Sequence, residues 1–545
     1  VRDLKDDEKE KEMKDCIGLF VAVESGDTDK EFNDMIDAVK KTSEQVNSKN
    51  IIIYPYAHLS SNLSSPKLAE KYLDKTYKTL DNEGFEVEKA PFGYYKEFEL
   101  KVKGHPLSEL SKEFGSEKIV KVDEEDYDEK QLLREISKSK LDTSKLKKND
   151  HRIIGQEMDL YSFHDVAPGM VFWHNNGLII YNELLKYWRE EHRKAGYHEI
   201  KTPQIMDKKL WQISGHWEKY KENNFLTKYE KRDFLIKPMN CPGGMLVYKS
   251  SPKSYKELPL KIGEIGIVHR QELSGVLSGL FRVIQITQDD AHIFCTEKQL
   301  EQEILNIIDL INLFYKKFNL EFDHVELSTR PEKRIGSDKI WDKSEKALEN
   351  VLKKQKIKYT INKGDGAFYG PKIDFHIKDS LNRTWQLSTI QLDFSTPERF
   401  ELEYTDKDNK RKRPIMLHRV IYGSLERFIG ILIEHTNGWM PVWLAPMQVR
   451  VINFTDRNKK YAEEIIKKLG DEIPDLRIDA DFTQSTVQSK VKEASLMRIP
   501  YVIVVGDKEE KSNKVAVREK GNSKIKQVDV DSFVSNLKKE IYRRL

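Results

Sequence analysis

From Pro203 to about residue 435 the chain runs through short apolar segments rich in Val, Ile, Phe and Trp, with few helix-length amphipathic stretches between them. Strands that follow one another without crossover helices pair with their neighbours, so this stretch predicts an antiparallel sheet. The flanks read differently. Upstream, residues 17 to 104 alternate: IGLFVAV, the amphipathic EFNDMIDAVKKTSEQV, IIIYPYAH, a second helix, and paired strands ending in FELKVKG, which predicts a small α/β domain. Downstream of WMPVWLAP, the segments QVRVINF, KKYAEEIIKKLG, LRIDADF, PYVIVVGDKE and KVAVREK alternate as a doubly wound α/β domain would.

At 545 residues the chain exceeds one core. The expected division is 1–110, a charged linker over 111–150, a central domain over 151–440 and a C-terminal domain over 441–545. In NGLIIYNELLKYWREEHRKAG, Leu178, Tyr181, Leu185, Trp188 and Ala195 share a helical face, Gly196 can take the left-handed cap, and YHEIKTPQ follows as a strand ending at Pro203. Three cysteines (Cys16, Cys241, Cys295) cannot build a disulfide framework, so Cys241 is expected to be free, buried or metal-bound. The charged N-terminal run and the lack of any long apolar window predict a soluble, cytoplasmic protein with no membrane partner. With 93 Lys plus Arg against 90 Asp plus Glu, nucleic-acid binding would rest on local patches.

Two nucleotide motifs are excluded. No G-x-G-x-x-G opens a helix, and Pro371 separates Gly370 from Lys372 where a Walker A loop needs them adjacent. The stretch richest in functional groups is HRQELSGVLSGLFRVIQITQDDAHIFC, residues 269 to 295. Its two strand-like arms would set Arg270 and Arg282 on one floor, suited to phosphates. The alternative is a hairpin with a solvated charged face. Against it stands the number of polar side chains a buried QDDAH would leave without partners.

Arg270-Gln-Glu272 through Arg282 to QDDAHIFC resembles motif 2 of class II aminoacyl-tRNA synthetases in its threonyl form. GSLERFIG resembles their motif 3, and the helix and strand ending at Pro203 their motif 1. SGHWEKY, KPMNCP, GAFYGPKIDF, WQLSTIQLDF and LHRVIYGSLERF follow in the order of threonyl-tRNA synthetases. The resemblance implies a homodimer that joins L-threonine to tRNA(Thr) with ATP and Mg²⁺. It implies one zinc ion per subunit on Cys241, His292 and His418, a set whose spacing announces no metal site unaided. Three N/S ligands leave a position open for an exchangeable group, here the amino group and hydroxyl of threonine.

The resemblance also assigns roles. Arg270, Arg282 and Arg427 bear on the phosphates and adenine, Glu272 and Gln386 on adenine and Mg²⁺, and Lys372 on phosphate and carboxylate. Asp290, Tyr369, Gln288 and Met239 line the threonine site. His216 is the base that takes the proton of the tRNA ribose, and Gln391 lies near the terminal adenosine. Ile284 and Ile286 stand where bacterial relatives have Arg and Phe, and Gly244 where His is frequent. A site that binds the hydroxyl can reject valine by about 10⁴, yet serine lacks only a methyl group, worth about 1–3 kcal/mol. Editing is therefore expected. YPYAHLSS, APFGYYKEF and HPLSEL resemble the editing domain of archaeal members, which is similar to D-aminoacyl-tRNA deacylases, and put His58, Tyr95, Lys96 and Glu109 in the hydrolytic pocket. An HSDY-like first strand has no counterpart in the sequence, which begins at VRDLKDDEKE. The C-terminal domain resembles the anticodon-binding domain of the threonyl, prolyl, histidyl and glycyl enzymes, with Arg498, Glu509, Arg518, Gln484 and Lys492 at anticodon positions. The competing readings are a prolyl or seryl enzyme and an inactive tRNA-binding relative. The Cys241, His292, His418 set argues against the first two, and intact Arg270, Arg282 and Arg427 against the third.

Overall fold

The structure is a computed structural model. It describes residues 11–60, 63–94, 97–103, 108, 110–112, 114, 130, 133, 146–217, 224–379, 382–520 and 524–545, with His58 and Ser274 described by their backbone alone. The chain divides into two compact units, Val1–Glu129 and Lys130–Leu545. Tyr95, Lys96, Glu109 and the His58 side chain lie outside the described residues.

In the first unit β1 (Cys16–Val21), β2 (Asn50–Pro55) and β3 (Glu86–Lys89) form a parallel sheet in that order. The connecting helices are α1 (Asp29–Val46) and α2 (Pro66–Asn82). Thr28 and Glu31 close a capping box on α1, and Ser65 caps α2 ahead of Pro66. Period-2 alternation sends Ile51 and Ile53 into a core with Phe32, Ile36, Leu73 and Leu80. Phe20 and Tyr54 pack at a tilt on the other face, ring centroids 5.1 Å apart. FELKVKG, expected as a strand, forms none among the described residues. Its alternating Phe98, Leu100 and Val102 are all exposed, and the Phe98 ring lies against Phe20 and Tyr54.

The second unit begins with α3 (His151–Glu157), α4 (Asn175–Lys194) and β4 (His198–Glu199). Gly196 takes the expected left-handed turn at φ +80°. Of the expected face of α4, Leu185 and Trp188 are buried in the core and Tyr181 and Ala195 pack against it, with Ile180, Leu184 and Tyr187 buried beside them, while Leu178 is 43% exposed. At the start of the helix Gly177 takes the inward position, where a Cβ would lie 2.0 Å from the Leu160 carbonyl oxygen, and the adjacent Leu178 turns to solvent.

Then come β5 (Leu260–His269), β6 (Gln285–Cys295), β7 (Glu321–Ser328), β8 (Thr360–Asn362), β9 (Lys372–Lys378), β10 (Thr384–Asp393) and β11 (Ile415–Val420). With β4 they make an eight-stranded sheet in the order β8-β7-β9-β10-β11-β6-β5-β4. Its six central strands pair antiparallel, as expected, and the edge strands β8 and β4 pair parallel. Helices were under-read here. Besides α5 (Cys241–Lys249) and α8 (Leu425–His435), the 18-residue α6 (Leu300–Lys317) and 17-residue α7 (Asp338–Lys354) cover the sheet's apolar face. Ile373, Phe375 and Ile377 of β9 point to that face, leaving Lys372, Asp374 and His376 on the other.

The C-terminal sheet runs through β12 (Val449–Asn453), β13 (Ile478–Asp481), β14 (Tyr501–Val505), β15 (Lys514–Glu519) and β16 (Ile525–Asp529), in the order β13-β12-β14-β15-β16. The alternation read from sequence holds for the first three, which are parallel, with α9 (Lys459–Glu472) and α10 (Val487–Leu496) between them. KVAVREK instead pairs antiparallel with β14, because no crossover helix long enough to return the chain separates them. The final helix α11 (Val530–Tyr542) packs its Phe533, Val534 and Leu537 into the same core. No helix among the described residues is long and apolar enough to cross a membrane.

Candidate active site

The polar face of the large sheet carries one continuous row of side chains. In the strand register Ile262 pairs with His292, His292 with His418, His418 with Gln391, Gln391 with Lys372, and Lys372 with Ser328. Cross-strand partners sit about 5 Å apart, so residues up to 126 positions apart in sequence become neighbours. The His292 and His418 ring centroids are 5.0 Å apart.

Cys241 reaches this row from the first turn of α5. The approach is close: a Cβ on Gly243 would lie 2.8 Å from Thr202 Cγ2, and one on Gly266 would lie 2.0 Å from Asn240 Oδ1. Beneath the turn the ammonium of fully buried Lys237 donates to Glu264 (2.8 Å) and Thr202 (3.0 Å), fixing the KPMNCP segment against β5. The Cys241, His292 and His418 donor atoms all lie within 4.8 Å of one another, and all three residues are buried. His418 Nε2 is held by Asp393 at 2.9 Å, leaving its Nδ1 for a ligand. His292 Nε2 has no hydrogen-bond partner among the described residues. Burial pushes the Cys241 thiol well up, with Asp290 and Asp393 adding to it, and burial pushes His292 well below its ordinary value. A neutral imidazole is the form that ligates, and a cation would supply the charge that an isolated buried thiolate lacks. The donor set therefore fits a metal, of the N/S type that suits zinc.

Gly244 lies on this ring as well. A Cβ there would stand 3.4 Å from His292 Nδ1, so a larger residue at 244 would contact that imidazole. Of the expected threonine-site residues, Asp290 lies two residues before His292 on the same face of β6, accepts from Asn240 Nδ2 at 3.4 Å, and is pushed up by burial. Tyr369 donates to Gln391 Oε1 at 2.9 Å, its ring 5.3 Å from His418. Gln288 shares the face of Asp290, and Met239 packs beside Cys241.

The three arginines converge. Burial lowers Arg427, and Arg282 and Arg270 lower it further, so their charges lie within mutual reach. Arg270 Nε donates to the Pro238 carbonyl (3.1 Å), and Arg427 Nε to the Phe281 carbonyl (3.0 Å) from the first turn of α8. Arg282 pairs with Glu272 at 2.9 Å, so Glu272 is engaged by the loop itself. Lys372 bridges Asp365 and Asp374, each at 2.9 Å; burial opposes its charge, but the two carboxylates outweigh it. Gln386 donates to Asp374 at 2.6 Å. Ile284 turns inward against Gly169, whose carbonyl accepts its N–H at 2.7 Å, and half-buried Ile286 is the one beside the open face. His216 follows the left-handed Gly215; its Nδ1 lies 2.8 Å from Ser214 Oγ and its ring 6.2 Å from that of Tyr369. Burial and then His418 lower it to about 3, so it is neutral.

Several positioning residues escaped the sequence reading. Buried Asp289 accepts from the Ile421 and Gly423 amides and from Trp188 Nε1, and so holds the entry to α8; burial pushes it up to about 6. Glu426 accepts the Thr287 amide through both oxygens. His151 receives the Leu280 amide on Nε2 and faces Glu434 through Nδ1 at 2.6 Å, joining the motif 2 loop to α8. The available signal was a carboxylate inside an otherwise apolar segment, as in QDDAHIF and SLERFIGILIEH.

In the C-terminal domain a cavity of about 660 Å³ gathers Lys492, Glu509 and Arg518 with Phe454, Val491, Ile525 and Gln527. Gln484 is exposed outside that lining. Arg498 is also apart from it: its guanidinium joins Glu157 of α3 (2.9 Å) and the carbonyl of Asn437 (3.2 Å), tying this domain to the sheet domain.

Three family models match. The tRNA synthetase class II core domain (G, H, P, S and T) covers residues 224–436, the archaea-specific editing domain of threonyl-tRNA synthetase 1–114, and an anticodon binding domain 448–540. The threonine–tRNA ligase of Caldanaerobacter subterraneus subsp. tengcongensis is 52% identical over 395 residues, 72% of this chain and 61% of that protein. That of Desulforamulus reducens is 50% identical over 398 residues, 73% of this chain and 62% of that protein. The chain thus spans less than two thirds of the length of these relatives. Among solved structures, the RNA binding domain of threonyl-tRNA synthetase from Cryptosporidium parvum Iowa II matches with TM-score 0.69 and 36% identity, over 72% of this chain and 98% of that one. A chain from Aeropyrum pernix described as a threonyl-tRNA synthetase matches with TM-score 0.63 and 26% identity, over 72% and 96%. A sheet with this row of residues, on a chain with these relatives, belongs to the threonyl-tRNA synthetase family of class II aminoacyl-tRNA synthetases.

Proposed function

We propose that the protein activates L-threonine with ATP, transfers it to tRNA(Thr), and hydrolyses Ser-tRNA(Thr) made in error. The observation that carries the reading is the Cys241, His292 and His418 cluster, set in one row with Gln391 and Lys372 and beside Asp290. These three residues would hold zinc, one ion per subunit, and the metal would supply a Lewis-acid position for the threonine amino group and hydroxyl. Asp290 and Tyr369 receive the amino and hydroxyl groups, Gln288 and Met239 close the pocket, and Gln391 stands toward the terminal adenosine of the tRNA.

Activation is an attack by the threonine carboxylate on the α-phosphate of ATP, which needs charge neutralisation and alignment. Arg270 and Lys372 take the α-phosphate and carboxylate. Arg282 turns from Glu272 to the γ-phosphate, freeing Glu272 for adenine. Arg427 flanks the base against Ile286, and Asp374, Gln386 and Glu272 face the Mg²⁺ that accompanies ATP. In the second step the ribose hydroxyl attacks the adenylate carbonyl while His216, neutral and unprotonated, accepts its proton.

Residues 1–110 then form the editing domain, joined by 111–150 to the catalytic domain (151–440) and the anticodon-binding domain (441–545). His58, Tyr95, Lys96 and Glu109 supply the editing pocket, and Lys492, Glu509 and Arg518 the anticodon contacts, with Gln484 at the rim. The protein works in the cytoplasm as a homodimer.

The test is ATP–pyrophosphate exchange with threonine, valine and serine, with and without a zinc chelator. Exchange driven by threonine and serine but not valine, lost on chelation, is expected. Absence of threonine-dependent exchange overturns the reading. For editing, Ser-tRNA(Thr) is offered to the wild type and to Lys96→Met; equal hydrolysis removes Lys96 from the mechanism.

A further inference from the structure

The polar face of the sheet does not end at Lys372. On β9 the residues Lys372, Asp374 and His376 alternate along one face, and on β7 they meet Ser328, Glu326 and His324 as direct cross-strand partners. The last rank of this ladder has no part in the chemistry above. We propose that His324, Glu326 and His376 form a second cation site, selective for a borderline transition dication such as Zn²⁺, Co²⁺ or Ni²⁺.

Three features of the local geometry support it. First, the donor spacing suits an ion. His324 Nε2 lies 3.4 Å from Glu326 Oε1, and His376 Nε2 lies 3.6 Å from Glu326 Oε2. Two ligands bound tetrahedrally to zinc at their usual bond lengths stand about 3.3–3.4 Å apart. These contacts are long for hydrogen bonds and close to the edge of a coordination polyhedron. The His376 Nε2 atom is buried and has no hydrogen-bond partner among the described residues.

Second, the backbone is bent to make the arrangement. The register between β7 and β9 slips between Phe322 and His324, and that between β9 and β10 slips between Phe375 and His376. Bulges re-aim side chains, and here both fall at the histidines. The first turns Asp323 to the same side as His324. The rings of His324 and His376 stack, 11° between planes and 4.2 Å between centroids, with their Nε2 atoms toward one carboxylate, so that a turn of the half-exposed His324 ring about χ2 brings both lone pairs onto one ion.

Third, outer partners are in place. Asp323 Oδ2 lies 2.9 Å from His324 Nδ1, the carboxylate–histidine pairing that orients metal ligands, and Thr384 donates to the same Asp323 oxygen at 2.9 Å. Asn362 Nδ2 donates to Glu326 Oε2 at 3.0 Å. All three ligands are half-buried, so the site opens to solvent on one side, where water completes the coordination. Two imidazoles and a carboxylate suit this group of metals and not Mg²⁺ or Ca²⁺, which take oxygen.

The test uses the full chain loaded with one equivalent of zinc per chain, which the thiolate-containing Cys241 site takes first, then dialysed against CoCl₂. The proposal expects one cobalt per chain beyond the zinc, with visible ligand-field absorption and no sulfur-to-metal charge-transfer band. His324→Gln and His376→Gln should each weaken cobalt binding at least about tenfold, and Asp323→Asn by about 10- to 100-fold. Cys241→Ser should keep the extra cobalt. No cobalt beyond the zinc overturns the site, as does cobalt that the histidine variants leave unchanged. A thiolate charge-transfer band would place the cobalt on Cys241 and equally overturn it. Circular dichroism of half-exposed His324→Gln separates a lost ligand from a lost fold.

Discussion

The sheet domain and the C-terminal domain present their polar groups in opposite ways. On the large sheet Cys241, His292, His418 and Asp290 are each less than 10% exposed, held by Asp393, Asn240 and a buried Lys237–Glu264 pair. In the C-terminal cavity Lys492 is exposed, Glu509 and Arg518 are half-buried, and the apolar wall includes Phe454 and Ile525, exposed at 65% and 61%. A site built the first way suits one small ligand whose hydroxyl must find its partner at a fixed point. A site built the second way suits flat groups that stack and are read along their edges. The difference teaches that the buried site depends on its supports, whereas the open cavity depends on its own side chains.

The strongest test of that statement is Lys237→Met. It leaves the charge of buried Glu264 without its ion-pair partner, with only the Thr202 amide and hydroxyl still donating to it, and the expected loss is about 3–5 kcal/mol in urea unfolding. The exposed pair Lys526–Glu519 on the C-terminal sheet (2.9 Å) should by contrast contribute about 0–1 kcal/mol, read from Lys526→Met. Equal effects would erase the distinction. Adding Glu264→Leu to Lys237→Met should recover much of the stability, because the uncompensated charge is then gone.

Asp393→Asn probes the support of a ligand instead of the frame. Asp393 Oδ1 accepts the Ser395 and Thr396 amides, which asparagine can keep, while the charge opposite His418 Nε2 is lost. Metal affinity should fall about 10- to 100-fold in competition with a chelator, with the circular dichroism spectrum unchanged. An unaltered affinity would mean that His418 needs no orienting partner.

These supports are also where the sequence was least informative. The antiparallel centre of the large sheet, the helix capped at Gly196 and the first three alternating strands of the C-terminal sheet were legible, because period and capping are local properties. Cys241, His292 and His418 became neighbours through strand register, which spacings of 51 and 126 residues do not encode. Only the resemblance to a family brought them together. The exposure of Leu178 on α4 was illegible because it turns on the approach of the adjacent Gly177 to Leu160, a tertiary contact. FELKVKG has a strand's alternation without a partner to pair with. The separation of Arg498 from Lys492, Glu509 and Arg518 likewise follows from domain packing against Glu157 and Asn437.

For the open cavity, Arg518→Ala should lower aminoacylation kcat/KM by about 1–3 kcal/mol, roughly 5- to 150-fold. ATP–pyrophosphate exchange without tRNA should be untouched. A drop in exchange as well would show that the two domains are coupled through the packing of Arg498 on α3, and the contrast between them would need to be redrawn.

The smallest effect is expected at Lys492. It stands exposed on α10 at the cavity wall, and no ion pair is recorded for it among the described residues. A lysine so placed contributes a point charge toward the RNA backbone and no base-edge pattern. Lys492→Gln should therefore weaken all tRNAs alike and reduce the slope of log affinity against log salt by about 0.7, the increment for one phosphate of a single strand. Arg518→Ala, if Arg518 reads a base, should alter discrimination between tRNAs. A change of discrimination at Lys492 with the salt slope intact would reverse the two assignments and make Lys492 the reader of bases, a role its compact, freely rotating ammonium is poorly shaped to fill.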